Sequence, residues 1–224
     1  MLGIQETMVS SIDSWVIKSF WGRNELEFEA IDAVGKSRGI LTIWDPSLFS
    51  KSASYSGEGF LAIWGKWSDV EKCCGFINVY APQDLSAKKR LWSNIIQLLQ
   101  SNPVVIWVVF GDFNEVRTES ERKGTEFSFS GAMAFNNFIH NGDLVDIKSG
   151  GRRFSRYSKD GSKLSKLDRF LVSSNLLTVW PNPNVTILPR GFSDHCPILF
   201  NSDIVDFGPS YFKFFNAWLE DKSF

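Results

Sequence analysis

The segment Val104–Phe110 (VVIWVVF) constrains the fold more than any other stretch of the 224-residue chain. It is apolar on both alternations, so a strand built from it needs cover on both faces. It is also the longest unbroken apolar run, far short of the roughly 20 residues a spanning helix requires, which excludes a membrane span. With 43% hydrophobic residues, 20 Phe and 9 Trp, the chain can build a sizeable core, and 24 basic against 25 acidic residues favour collapse over disorder. Its length suits one large domain.

Other strands are read at Gly39–Asp45, Phe60–Trp67 and Gly75–Tyr80, with shorter ones at Phe170–Ser173, Val185–Leu188 and Pro197–Phe200. Each is rich in β-branched or aromatic residues and bordered by turn formers. The opening MLGIQE is also strand-like. Helical spacing marks Ser86–Gln100, with Ser86 as a candidate N-cap, and Ser130–Asn141, which Gly142 stops. Weaker helices are read at Thr7–Phe20 and Ser174–Trp180. Many strands with few helices point to an α/β domain with sheet packed on sheet and helices outside. Cys73, Cys74 and Cys196 form no disulfide framework, and no secretory signal is visible at the start. The expected compartment is intracellular and reducing.

The net charge of −1 hides an asymmetry. Lys148–Arg169 holds eight basic and two acidic residues, a net +6 that leaves the rest of the chain at −7. Such a strip is either a solvated loop or a phosphate-contacting surface.

The acidic residues that border apolar runs carry the chemistry. Glu6 follows MLGIQ, Asp112 and Asn114 follow VVIWVVFG, Asp168 precedes FLVS, and Asp194-His195 precede CPILF. In antiparallel pairing the end of one strand lies beside the start of the next, so these groups can share one sheet edge. Clustered carboxylates need a cation, and oxygen ligands favour Mg²⁺, with Mn²⁺ as the alternative. That arrangement suits phosphodiester hydrolysis, with an acid-oriented His on the phosphoryl group and an Asn holding water or phosphate. Taken singly, each residue reads more simply: an Asp after a strand is usually a turn residue, and a lone His or Tyr is usually structural.

Five motifs occur together in order: Gln5-Glu6-Thr7, Asn78-Val79-Tyr80-Ala81-Pro82, Gly111-Asp112-Phe113-Asn114, Leu167-Asp168-Arg169-Phe170 and Ser193-Asp194-His195-Cys196-Pro197. The chain resembles the endonuclease/exonuclease/phosphatase superfamily over Met1 to about Leu219. The nearest likeness is to the apurinic-endonuclease-like domain of plant LINE-type non-LTR retrotransposons. The resemblance implies a four-layer α/β/β/α sandwich of the DNase I type and Mg²⁺-dependent nicking of target DNA. It makes Glu6 a metal ligand, places Tyr80 on the scissile phosphate, and gives Asp112 and Asn114 the attacking water. Asp194 joins the metal or water network, His195 stabilises the phosphate, and Asp168 orients His195. Arg152, Arg153, Lys166 and Arg169 of the basic strip are assigned to DNA.

The resemblance also places a first strand and helix upstream of Met1. The chain then spans an incomplete endonuclease domain at 1–203 and a linker-like tail at 204–224 leading towards a reverse transcriptase. Such a fragment is expected to nick poorly until the strand is restored; if active, it belongs in the nucleus. The alternatives are an inactive remnant, a phosphatase of the same fold, and a Trp-rich all-β sugar-binding module.

Overall fold

The computed structural model describes residues 1–8, 13–22, 25–33 and 39–202. The tail at 204–224, and residues 9–12 of the helix expected at Thr7–Phe20, lie outside the described residues.

The chain opens with β1 (Leu2–Gln5), α1 (Ser14–Trp21), β2 (Glu27–Ile31) and β3 (Ile40–Trp44). Asp13 caps α1 by accepting the Trp15 N–H, and Gly22 ends it at φ +72°, a conformation that favours glycine. The strands form an antiparallel sheet in the order β1-β3-β2. β3 is buried throughout: Leu41 and Ile43 pack with Ile17 of α1, whereas Trp44 belongs to a different core.

Next come β4 (Phe49–Gly57), β5 (Phe60–Trp67), β6 (Cys73–Tyr80), α2 (Leu85–Ser101) and β7 (Ile106–Asp112). β5 has the bounds expected from sequence. α2 begins one residue early because Asp84, rather than Ser86, is its cap, accepting the Ala87 N–H at 2.9 Å. β7 is the apolar run shifted by two residues. Val104 is 77% exposed before the strand, while Gly111 and Asp112 are drawn into it by pairing on both sides. Pairing, not apolarity, sets that end. β4, rich in Ser, escapes sequence reading; among the described residues it is an edge strand paired only with β5.

The remainder supplies β8 (Arg122–Lys123), α3 (Phe129–Asn141), β9 (Leu144–Asp146), β10 (Ser149–Gly151), β11 (Arg156–Tyr157), β12 (Leu164–Ser165), β13 (Asp168–Ser173), β14 (Asn184–Ile187) and β15 (Ile198–Asn201). The helix expected at Ser174–Trp180 is a 3-10 turn over Ser174–Thr178.

A six-stranded sheet, β4-β5-β6-β7-β13-β9, is the centre of the molecule. β6 and β7 are parallel, with α2 as their crossover; its other pairs are antiparallel. Trp107 and Val109 of β7 face Trp92 and Ile95 of α2 and Phe135 and Phe138 of α3. Ile106, Val108 and Phe110 face the other way, into a core shared with Trp44 of β3 and Val185 of β14. From Val105 onward both alternations of VVIWVVF are therefore buried, as its composition demands. The layers run α2/α3, large sheet, smaller sheets, α1, an α/β/β/α sandwich.

The second β layer is in two pieces among the described residues, β1-β3-β2 and β10-β14-β15. Between β1 and β15 lies a cavity of about 590 Å³, lined by Phe76, Val108, Phe110 and Phe170 of the large sheet. No helix of the described residues is long and apolar enough to cross a membrane.

Candidate active site

Strand register builds the site. Tyr80 at the end of β6 pairs with Asp112 at the end of β7, and Asp112 pairs with Asp168 at the start of β13. Three residues far apart in sequence thus stand in a row on one rim of the large sheet. Gly111 makes the row possible: at φ +129°, a Cβ there would lie 2.1 Å from the Val79 carbonyl oxygen.

The opposite layer contributes Glu6, which follows β1. The Tyr80 hydroxyl donates to Glu6 Oε1 at 2.6 Å, tying the two layers together. Deeper in, Asn78 is fully buried and does the same. It accepts from Gln5 Nε2 at 2.5 Å and donates to the Leu41 carbonyl at 3.0 Å. His195 arrives on the loop before β15, and its Nδ1 lies 2.9 Å from Asp168 Oδ2. Its Nε2 faces Asp112 Oδ2 at 4.0 Å, too far for a hydrogen bond. Asn114 adopts a left-handed φ of +48°, which Asn tolerates. There its N–H donates to Asp112 Oδ1 at 2.8 Å and its carboxamide to the Ala81 carbonyl at 2.7 Å.

These contacts set the electrostatics. Burial, then the charge of Asp168, pushes the Asp112 carboxyl up to about 7; Glu6 adds to the rise, while His195 and the Asn114 N–H oppose it. Burial works against the His195 imidazolium. The Asp168 hydrogen bond and charge, with the charges of Asp112 and Asp194, outweigh it and carry His195 up to about 9. Near neutral pH the site therefore combines a cationic imidazolium with a carboxyl poised to take a proton.

Donor atoms of Asp112, Asp168 and His195 lie within 4.8 Å of one another, a group able to hold a metal ion among the described residues. Asp168 is engaged by His195, which leaves Asp112, and Glu6 close enough for its charge to act on Asp112. Crowded carboxylates of this kind fit a hard divalent cation, which would relieve the repulsion that raises Asp112. Asp194 stands outside that group, half-exposed and ion-paired with Arg156 at 3.2 Å.

Of the basic residues assigned to DNA, Arg152 and Arg153 are exposed, stacked over Tyr157 and Phe154. Lys166 is partly buried, and burial followed by the Arg169 charge lowers its pKa. Arg169 corrects the sequence reading: its guanidinium is buried in ion pairs with Glu121 and with Asp146, so no phosphate reaches it.

Sequence reading misses Ser155. Buried within a loop, its Oγ accepts the N–H groups of Leu167 and Asp168 at 2.9 Å each, and its carbonyl accepts the Cys196 N–H at 2.6 Å. One serine thus fixes the start of β13 to the His195 loop. A lone Ser carries no signal for this. Asn78, quoted within a motif, is likewise unmarked as the bridge between layers.

A family model described as endonuclease-reverse transcriptase matches residues 74–199, more than half the chain. The chain belongs to that family, within the endonuclease/exonuclease/phosphatase superfamily. Several solved structures share the fold. The AP endonuclease LMAP from Leishmania major is 18% identical at a TM-score of 0.67, covering 88% of this chain and 76% of that one. The 3′ phosphatase NExo from Neisseria, bound to a product DNA hairpin, is 15% identical at a TM-score of 0.67, covering 90% and 88%. The endonuclease domain of TRAS1, a telomere-specific non-LTR retrotransposon, is 14% identical at a TM-score of 0.58, covering 80% and 79%. No curated protein sequence matches the chain closely.

Proposed function

We propose that this chain is the DNA-nicking endonuclease domain of a LINE-type retrotransposon, hydrolysing a phosphodiester of target DNA with Mg²⁺. The observation that carries the reading is the meeting of Asp112, Asp168 and His195 on one rim, opposite Glu6 and Tyr80. Asp112 takes a proton from the attacking water, which Asn114 helps to hold in place. The His195 Nε2–H donates to the phosphoryl oxygen, while Asp168 keeps the imidazole charged and oriented. Tyr80 contacts the scissile phosphate, and Asp194 shapes the water network beside His195. As water adds to phosphorus, the bond to the leaving sugar oxygen breaks, and that oxygen takes a proton from solvent to leave as a hydroxyl. Glu6 and Asp112 would hold the divalent ion, which supplies charge neutralisation at the phosphate.

In this reading residues 1–203 are the endonuclease domain, residues 204–224 lead towards a reverse transcriptase, and the work is done on nuclear DNA. The kinship with a plant element rests on the ordered motifs and the tail. Supercoiled plasmid tests the reading. With Mg²⁺ it is expected to become open circle, EDTA is expected to stop the conversion, and Asp112→Asn to slow it by about 10²–10⁴-fold, the usual share of a general base. Equal rates for Asp112→Asn and the parent chain would remove the assignment. The 3′ phosphatase among the structural neighbours motivates a second arm. Release of phosphate from a 3′-phosphorylated end without any nicking would turn the reading to a phosphatase of the same site.

A further inference from the structure

Beside the catalytic rim lies a second, separate cavity of about 290 Å³. Two residues connect it to the chemistry. Asn114, which caps Asp112, lines it. So does Arg156, which pairs with Asp194 and bridges the His195 backbone. Four cations line the cavity, Lys88, Arg122, Arg156 and Lys163, against one carboxylate, Glu115.

Those cations are not equivalent. Lys88 is buried and already neutralised, with its ammonium 2.8 Å from Glu115 and donating to the Asn114 carbonyl at 2.7 Å. Arg156 shares its charge with Asp194. Arg122 and Lys163 have no carboxylate partner among the described residues. Arg122 is further marked: its Nε is shut off from solvent with no acceptor, and its Nη1 reaches only the Glu126 carbonyl at 3.3 Å. A buried donor without an acceptor is rare in a finished site, and here it belongs to a side chain that lines a polar cavity with surplus positive charge. A guanidinium fork matches a phosphate, and an ammonium adds point charge.

We propose that this cavity is an anion subsite that holds one non-scissile backbone phosphate of the DNA strand being cut, with Arg122 and Lys163 as its ligands. The proposal rests on the reading of the chain as a DNA phosphodiesterase. The subsite fixes the register of the strand over Asp112 and His195, which the exposed Arg152 and Arg153 on their aromatic neighbours cannot do alone. It contributes to binding, while the proton-transfer groups remain untouched.

The test is binding of a labelled DNA duplex to the full chain in EDTA, where no turnover occurs, over 50 to 200 mM salt. Arg122→Gln with Lys163→Gln is expected to weaken binding about tenfold at low salt. It should also flatten the plot of log affinity against log salt by about 0.9, the share of one phosphate. A neutral methylphosphonate at the one phosphate held there should weaken the parent chain equally and leave the double variant unchanged. Unaltered affinity and slope in the double variant would overturn the proposal. The exposed Lys163→Gln alone, expected to show part of the loss, replaces the double variant should that one fail to melt cooperatively.

Inorganic phosphate separates this failure from failure of the enzymatic reading. Should the parent chain bind no DNA, the DNA-phosphate assignment falls with the enzymatic reading. A phosphate-dependent rise in melting temperature that Arg122→Gln abolishes would then identify an anion site for another ligand. No rise at all would remove the site itself.

Discussion

Asp168 acts on two neighbours at once. It holds the His195 imidazole by a 2.9 Å hydrogen bond and raises the Asp112 carboxyl through its charge. In the proposed mechanism Asp112 is deprotonated and His195 protonated, so nicking is expected to rise and then fall with pH, with both limbs below the metal-free values of about 7 and about 9 because a bound cation favours the deprotonated forms. Removing the charge with Asp168→Asn leaves burial still raising Asp112, and Asp112 and Asp194 still raising His195, but withdraws the Asp168 contribution to both. Both limbs of the profile should move to lower pH, and the maximal rate should fall by about 10²–10³-fold as the imidazole loses its partner. A rate loss with both limbs unmoved would show that Asp168 only stiffens the loop. At this scale the sequence reads well where a polar residue borders an apolar run, as Glu6, Asp112, Asp168 and His195 do. It reads poorly where burial decides the role. Arg169 counts as one more cation in a basic strip, yet it lies inside because Glu121 and Asp146, 48 and 23 residues away in sequence, pair with it there.

Among the elements, β7 organises the rest. Its seven residues are all buried, and its two pairings deliver Tyr80, Asp112 and Asp168 to one line. That delivery depends on Gly111, whose positive φ and contact with the Val79 carbonyl leave no room for a side chain. Gly111→Ala is expected to cost about 2–4 kcal/mol in chemical denaturation, because it adds a steric clash to an unfavourable backbone conformation. It should also lower nicking beyond the loss of folded protein; a neutral effect on both would mean the strand end is not held as described. Composition reveals β7 and β5 because their apolar residues match their burial. It does not reveal β4, whose Ser-rich sequence becomes a strand only because β5 offers an edge, nor the two-residue shift of β7, which pairing imposes. Helix α2 shows the same limit at its cap, where Asp84 outcompetes Ser86 for the Ala87 N–H.

At the scale of the molecule, the described residues form a sandwich whose first sheet is continuous and whose second is split. Edge strands β1 and β15 line a cavity of about 590 Å³ over an apolar floor of Phe76, Val108, Phe110 and Phe170. A strand fused ahead of Met1 and able to lie in that cavity should raise the melting temperature by several degrees, as about 1–2 kcal/mol does for a domain of this size. It should also increase nicking, since Glu6 at the end of β1 would be better held. No change in either would mean the cavity does not take a strand. The layer order was legible from counting strands and helices, while the face-to-face placement of Glu6 and Asp112 was legible only through the ordered motifs. No local pattern states which strand edges meet.

In the proposed site Glu6 and Asp112, more than a hundred residues apart in sequence, close around one divalent ion. Calorimetric titration of Mn²⁺ into the chain tests this without requiring turnover. One site is expected in the parent chain, weakened tenfold or more by Glu6→Gln and, independently, by Asp112→Asn. Mn²⁺ binding that survives both substitutions unchanged would contradict it.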